Sequence, residues 1–127
     1  MTPVLLRVLG MRRFAQVVVS QGAKELDKEG AAWLVDLMPG QDRGLMAAAW
    51  KETMAFESRP RLAEITCPTL VVAGAQDRAV PLHHTRMLEA GIPGSRLVVV
   101  EGAGHALVWT HPDVLVRVTE DFLATAT

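Results

Sequence analysis

Ile65-Thr66-Cys67-Pro68-Thr69-Leu70-Val71-Val72-Ala73-Gly74-Ala75-Gln76-Asp77, followed after a helical stretch by Leu97-Val98-Val99-Val100-Glu101-Gly102-Ala103-Gly104-His105, is the part of the chain whose reading decides the fold. Leu70 to Ala73 and Leu97 to Val100 are short, continuously apolar, Val-rich runs, the pattern of parallel strands covered on both faces. Pro81 to Ala90 between them is the expected crossover helix. A strand, crossover, parallel-strand unit brings the carboxyl ends of both strands to one edge of the sheet. Asp77 and His105 follow those two ends, so they share one rim. Neighbouring strands lie only about 4.8 Å apart, and two side chains 28 positions apart in sequence can therefore meet on adjacent loops. Such a geometry suits an Asp that orients a His and stabilises its charge. The plainer alternatives are an Asp77 that caps the turn Gln76-Asp77-Arg78 and a His105 bonded to a loop carbonyl.

Working outward, Ile65 to His111 is flanked by a helical region on the N-terminal side. Lys28 to Leu37 and Asp42 to Phe56 read as helices separated by the breaker Met38-Pro39-Gly40. Trp33, Leu34 and Leu37 recur at helical spacing in the first, and Leu45, Met46, Ala49, Trp50 and Met54 in the second. These stripes are expected to be core, with the lining of a substrate pocket as the alternative. The first twenty residues carry Arg7, Arg12 and Arg13 and no acid. The arginines interrupt the apolar run, so no signal peptide and no membrane span is read there. An amphipathic helix is expected instead, with Thr2 as N-cap, Pro3 at its first position, Leu5, Leu6, Val8 and Leu9 as the apolar face, and Gly22 near its end. Packing over a neighbouring cleft is the expected use of that face; attachment to a membrane surface is the alternative. Ser58-Arg59-Pro60 reads as a hinge, giving a helical region over 1–60 and a strand-bearing region over 61–127.

The composition bounds the class. At 127 residues the chain is one domain or part of one. Apolar residues make up 50% and the 10 glycines add about 8%, above the usual total of about 45 to 50%. Such a chain expects more neighbours than it has. Thirteen Lys and Arg against fourteen Asp and Glu leave no basic footprint for nucleic acid. The single cysteine, Cys67, excludes an internal disulfide and a cysteine-rich metal site, and cytosol is the default location. Cys67 itself is expected as a small buried apolar group.

The residues from Ile65 through Asp77 and Pro81, then Gly102-Ala103-Gly104-His105, then His111-Pro112-Asp113 with a closing amphipathic helix, resemble the C-terminal part of an α/β-hydrolase. In that family the pattern I-x-x-P-x-L-V-V-x-G-x-x-D-x-x-x-P holds the penultimate core strand and the acid of the catalytic triad, and G-x-G-H holds its histidine. The resemblance extends over residues 61 to 124. Residues 1 to 60 are similar, more loosely, to the helical cap, and the nearest members in tone are lactonases, esterases and haloperoxidase-like proteins. The resemblance implies an α/β chain: a partial α/β-hydrolase fold with a parallel strand pair, a crossover helix and a C-terminal helix, preceded by cap-like helices. It also implies Asp77 and His105 as triad acid and histidine, no metal, no organic cofactor, and a small-molecule ester or lactone as substrate of a complete enzyme.

The nucleophile does not appear. The family carries it on a strand-to-helix elbow, G-x-S-x-G, ahead of the acid and the histidine. Ser20 lies in Val18-Val19-Ser20-Gln21-Gly22, with Val where the first Gly belongs and in a helical context; Ser58 is a hinge residue and Ser95 follows Gly94 in a turn. The isolated chain is therefore expected to be inactive, as a fragment or as one half of a split hydrolase. A non-catalytic module that binds a partner or a second copy of itself is the rival expectation. His83 and His84, about 100° apart around a helix, do not chelate one metal well and read as surface residues. His111 is expected at the start of the last helix with Asp113 in its first turn, and Glu101 is the competing partner for His105.

Overall fold

The computed structural model describes residues 2–22, 24 and 26–126, with the backbone alone for residues 2–9 and Gly22. The chain divides into two compact units, Met1–Glu57 and Ser58–Thr127.

The first unit is helical. α1 (Thr2–Gly22) packs against α2 (Lys28–Leu37) and α3 (Arg43–Ala55). Each of the two shorter helices starts on an aspartate whose Oδ1 accepts an otherwise unpaired N–H: Gly30 N–H to Asp27 at 2.8 Å and Leu45 N–H to Asp42 at 2.7 Å. Met11, Phe14, Ala15, Val19 and Val35 are buried, with Met38 and Met46 packed against Met11 and Phe14. Three expectations are corrected here. α1 is broken at Gly10, whose φ of 69° and ψ of 156° are not helical and are open to a residue without a Cβ; apolar periodicity does not register such a break. The apolar stripes of α2 and α3 are core only in part: Leu34 and Met46 are half-buried, but Trp33 is 58% and Met54 69% exposed, and Leu37, Leu45 and Trp50 are exposed as well. α2 and α3 each pack on α1, and the apolar residues named above on their other faces stay exposed. Thr2 falls inside α1 rather than ahead of it, and the face expected from Leu5, Leu6, Val8 and Leu9 lies outside the described side chains.

The second unit holds the sheet. A 3₁₀ turn (Arg59–Glu64) leads to β1 (Leu70–Gly74), α4 (Leu82–Gly91), β2 (Arg96–Val100), the short α5 (Leu107–Thr110) and α6 (Pro112–Thr125). β1 and β2 pair in parallel, with Leu70 opposite Arg96 and Gly74 opposite Val100. The strand pair and its crossover thus lie where the apolar runs place them. α4 packs on both strands and α6 on β1. Leu62 of the 3₁₀ turn fits against Gly91, where a Cβ would come within 2.6 Å of its Cδ1. Val71, Ala73 and Val100 are buried, but Leu70, Val72, Leu97, Val98 and Val99 are only half-buried. Among the described residues each strand has one partner, and these half-buried side chains show that the cover expected on both faces is incomplete. No helix among the described residues is long and apolar enough to cross a membrane.

Candidate active site

The site lies at the carboxyl ends of β1 and β2 and is assembled mostly by backbone. Beyond β1, the Ala75 N–H donates to the Val100 carbonyl at 3.0 Å and the Gln76 N–H to the Ala103 carbonyl at 2.8 Å, so the loop after β1 is stitched to the loop after β2. Gly74 makes this close approach possible. A Cβ there would stand 2.5 Å from the Ala103 oxygen and 2.6 Å from the Gly104 oxygen. Gly102 turns the second loop with a φ of +77°, a region that favours glycine, and Ala103 beyond it is fully buried.

Asp77 emerges from the first loop with both carboxylate oxygens engaged. Oδ1 accepts the N–H groups of Ala79 and Val80, each at 2.8 Å. Oδ2 lies 3.0 Å from His105 Nδ1. The turn-capping role and the histidine partnership are thus both present, one on each oxygen. Burial, the largest influence, pushes the Asp77 carboxyl upward; the Val80 N–H, the hydrogen bond and charge of His105, and the Ala79 N–H together outweigh it, and the pKa falls below its ordinary value. The carboxylate is therefore held ionised and aimed at His105. A carboxylate oxygen only accepts, so His105 Nδ1 carries the hydrogen of this bond, and Nε2 is the ring nitrogen that Asp77 does not engage. The Asp77 side chain is 14% exposed and that of His105 49%, so the carboxylate is sheltered while the imidazole is open to a reactant.

The other sequence candidates lie elsewhere. The histidine is paired with Asp77 rather than with the exposed Glu101. The hydroxyls of Ser20 and Ser95 donate to the carbonyls of Val17 and Glu89, at 2.9 and 3.0 Å, and Ser58 precedes the 3₁₀ turn. His83 and His84 are exposed with ring centroids 4.0 Å apart, and no cluster of metal-ligating side chains occurs among the described residues. Cys67 is exposed, contrary to the expected burial, because it lies in the irregular lead-in to β1 rather than in the strand. The turn-like Gln76-Asp77-Arg78 signalled a capping role for Asp77, but the particular donors, the Ala79 and Val80 amides, were not read from the sequence because backbone donors leave no mark on residue identity. The helical unit carries a separate cleft of about 620 Å³, lined in part by Arg12, Gln16, Val19, Leu26, Val35 and Asp36, which contains neither member of the Asp77–His105 pair.

A family model described as alpha/beta hydrolase fold matches residues 11–112. Over 70 residues the chain is 46% identical to a 2-hydroxy-6-oxo-6-phenylhexa-2,4-dienoate hydrolase of Burkholderia cepacia, a match covering 55% of this chain and 24% of the relative. Over 65 residues it is 46% identical to a 2-hydroxy-6-oxononadienedioate/2-hydroxy-6-oxononatrienedioate hydrolase of Comamonas testosteroni, covering 51% and 23%. Among solved structures, the enol-lactonase from Burkholderia xenovorans LB400 superposes with a TM-score of 0.83 at 27% identity, covering 97% of this chain and 48% of that one. The chain thus spans about half the length of that enzyme, and its matched stretches span about a quarter of the two curated relatives.

Proposed function

The chain belongs to the alpha/beta hydrolase fold family, and from that premise we propose that Asp77 and His105 are the acid and the histidine of a hydrolase site whose nucleophile is supplied by polypeptide beyond these 127 residues. The observation that carries this reading is the 3.0 Å contact between Asp77 Oδ2 and His105 Nδ1, with the other carboxylate oxygen anchored by two amides. In the working site His105 Nε2 takes the proton of a serine hydroxyl as it attacks a carbonyl carbon. Asp77 stabilises the imidazolium that forms, and the same proton passes from Nε2 to the leaving group. A 2-hydroxy-6-oxo-dienoate is the substrate class that the curated relatives support; an ester or lactone is the class supported by the superposed enol-lactonase. Each contains a carbonyl that such a nucleophile attacks.

By this reading the chain alone lacks both the nucleophile and the donors of an oxyanion hole, and hydrolyses an activated short-chain ester no faster than buffer. Mixed with the N-terminal half of a family member bearing G-x-S-x-G, it gains turnover that disappears in His105→Ala. Saturable turnover by the chain alone, or restored turnover indifferent to His105, would refute it. A second reading, a non-catalytic module that associates with itself, draws on the exposed Trp33, Leu37, Trp50 and Met54 and leads to association without any restored turnover.

A further inference from the structure

Residues 106 to 111 form a polar joint that the Asp77–His105 contact does not account for. The carbonyl of Ala106, the residue after His105, accepts the Trp109 N–H at 2.9 Å, the Thr110 N–H at 3.1 Å and the Thr110 hydroxyl at 3.2 Å. The same Thr110 oxygen lies 2.8 Å from His111 Nδ1. A threonine hydroxyl has one hydrogen to give and two lone pairs. If that hydrogen went to His111 Nδ1, the contact with the Ala106 carbonyl would have none. For the hydroxyl to keep its 3.2 Å hydrogen bond to the Ala106 carbonyl beside the two N–H donors already there, His111 Nδ1 must carry a hydrogen and donate it to Thr110 Oγ1. His111 is itself fixed at this joint, since its N–H donates to the Leu107 carbonyl at 2.9 Å and its carbonyl accepts the Leu115 N–H at 3.1 Å, tying α5 to α6.

The joint bears on His105. Its side chain is half exposed, and its ring is held by the contact with Asp77. The direction of its Cα–Cβ bond is therefore set chiefly by the backbone on either side. On one side that backbone is Gly104, packed against Gly74. On the other it is Ala106, whose side chain is buried and whose carbonyl collects the three donors. We propose that Thr110 is a positioning residue for His105, acting through the Ala106 carbonyl, and that His111 supports it by holding the Nδ1–H form. The proposal rests on the reading of Asp77 and His105 as a functional pair.

Nitrogen-15 NMR of the histidine rings in the full chain tests it, at mildly alkaline pH where an ordinary imidazole is neutral. His111 is expected as the Nδ1–H tautomer, and His105 Nδ1–H as a hydrogen-bonded resonance that vanishes in Asp77→Asn. In Thr110→Val, which keeps the shape and removes the hydroxyl, the His105 Nδ1–H is expected to exchange with water roughly three- to tenfold faster relative to nearby amides, the weight of one hydrogen bond. Thr110→Ser, which keeps the hydroxyl, restores the slow rate. An Nε2–H tautomer at His111 in the unmutated chain overturns the proposal, and this measurement decides even if Thr110→Val does not fold. Unchanged His105 exchange in a folded Thr110→Val also overturns it. If Asp77→Asn leaves the His105 signal intact, the pairing itself fails; if Asp77→Asn abolishes the signal while Thr110→Val changes nothing, only the positioning role fails.

Discussion

Gly74→Ala is the substitution in which fold and site are most directly coupled. The added Cβ would lie 2.5 Å from the Ala103 oxygen, 2.6 Å from the Gly104 oxygen and 2.8 Å from the Ala103 carbonyl carbon. All three atoms are backbone, so no rotamer change relieves the contact. Even a close carbon-to-oxygen approach needs about 3.3 Å, so the loop carrying His105 must retreat by roughly 0.8 Å. The Gln76 N–H bond to the Ala103 carbonyl, at 2.8 Å, would then stretch to about 3.6 Å and cease to be a hydrogen bond. Overpacking of this kind costs about 1 to 3 kcal/mol and the lost bond about 0.5 to 1.5; the smaller unfolded-state entropy of alanine returns about 0.4 to 1. The net expectation is a destabilisation on the order of 2 kcal/mol, with a weakened His105 Nδ1–H resonance. Gly40→Ala is the control, because a Cβ there meets nothing within 4 Å. Denaturant unfolding of the three proteins measures the difference. A Gly74→Ala chain as stable as the unmutated one, with the His105 signal unmoved, would refute the claim that this glycine holds the two loops together.

Three further expectations follow from the same contacts. Because the folded-state pKa of Asp77 is lowered from 3.8, its ionised form contributes stability that is complete above the unfolded value and lost as pH falls through the lower folded value; acid titration of unfolding should show a shallower acid limb in Asp77→Asn than in the unmutated chain, and parallel limbs would contradict it. Arg12→Ala should change stability by less than about 0.5 kcal/mol in a thermal melt, because its 3.0 Å pair with Asp36 joins side chains that are 68% and 59% exposed and is screened by solvent. Half-burial of Leu70, Val72, Leu97, Val98 and Val99 forgoes on the order of half of about 1.5 to 3 kcal/mol each, against a whole-domain stability of about 5 to 15, and strands with one partner offer pairing edges; sedimentation at micromolar concentration is expected to show self-association, and a strict monomer with a sharp thermal transition would contradict it.

Asp77 and His105 were legible in the sequence because each follows a short apolar run, and parallel pairing puts both run ends on one rim. The spans of α2 and α3 were legible from apolar spacing and the breaker Met38-Pro39-Gly40, whereas the Asp27 and Asp42 side chains that cap them emerged only with the structure. The kink at Gly10 was not, because it depends on one backbone conformation inside an unbroken apolar pattern. The exposure of Trp33 and Met54 was not, because periodicity reports which face is apolar and not what covers it. Cys67 was misplaced for a related reason: its chemistry favours burial, but its position in the irregular segment ahead of β1, which begins at Leu70, leaves it in solvent. The amides of Ala79 and Val80 and the Thr110–His111 joint depend on backbone and hydroxyl geometry that residue identity does not encode.

The central claim is that Asp77 orients His105 for proton transfer in a hydrolase site completed from outside the chain. The most direct measurement compares kcat for the unmutated chain and for Asp77→Asn, each combined with the same N-terminal hydrolase half bearing the serine elbow. Loss of the orienting carboxylate from such a triad lowers kcat by about 10⁴-fold while leaving geometry intact, and a fall approaching that size is expected here. Equal turnover in the two mixtures, with both chains folded and bound to the added half, would contradict the role assigned to Asp77.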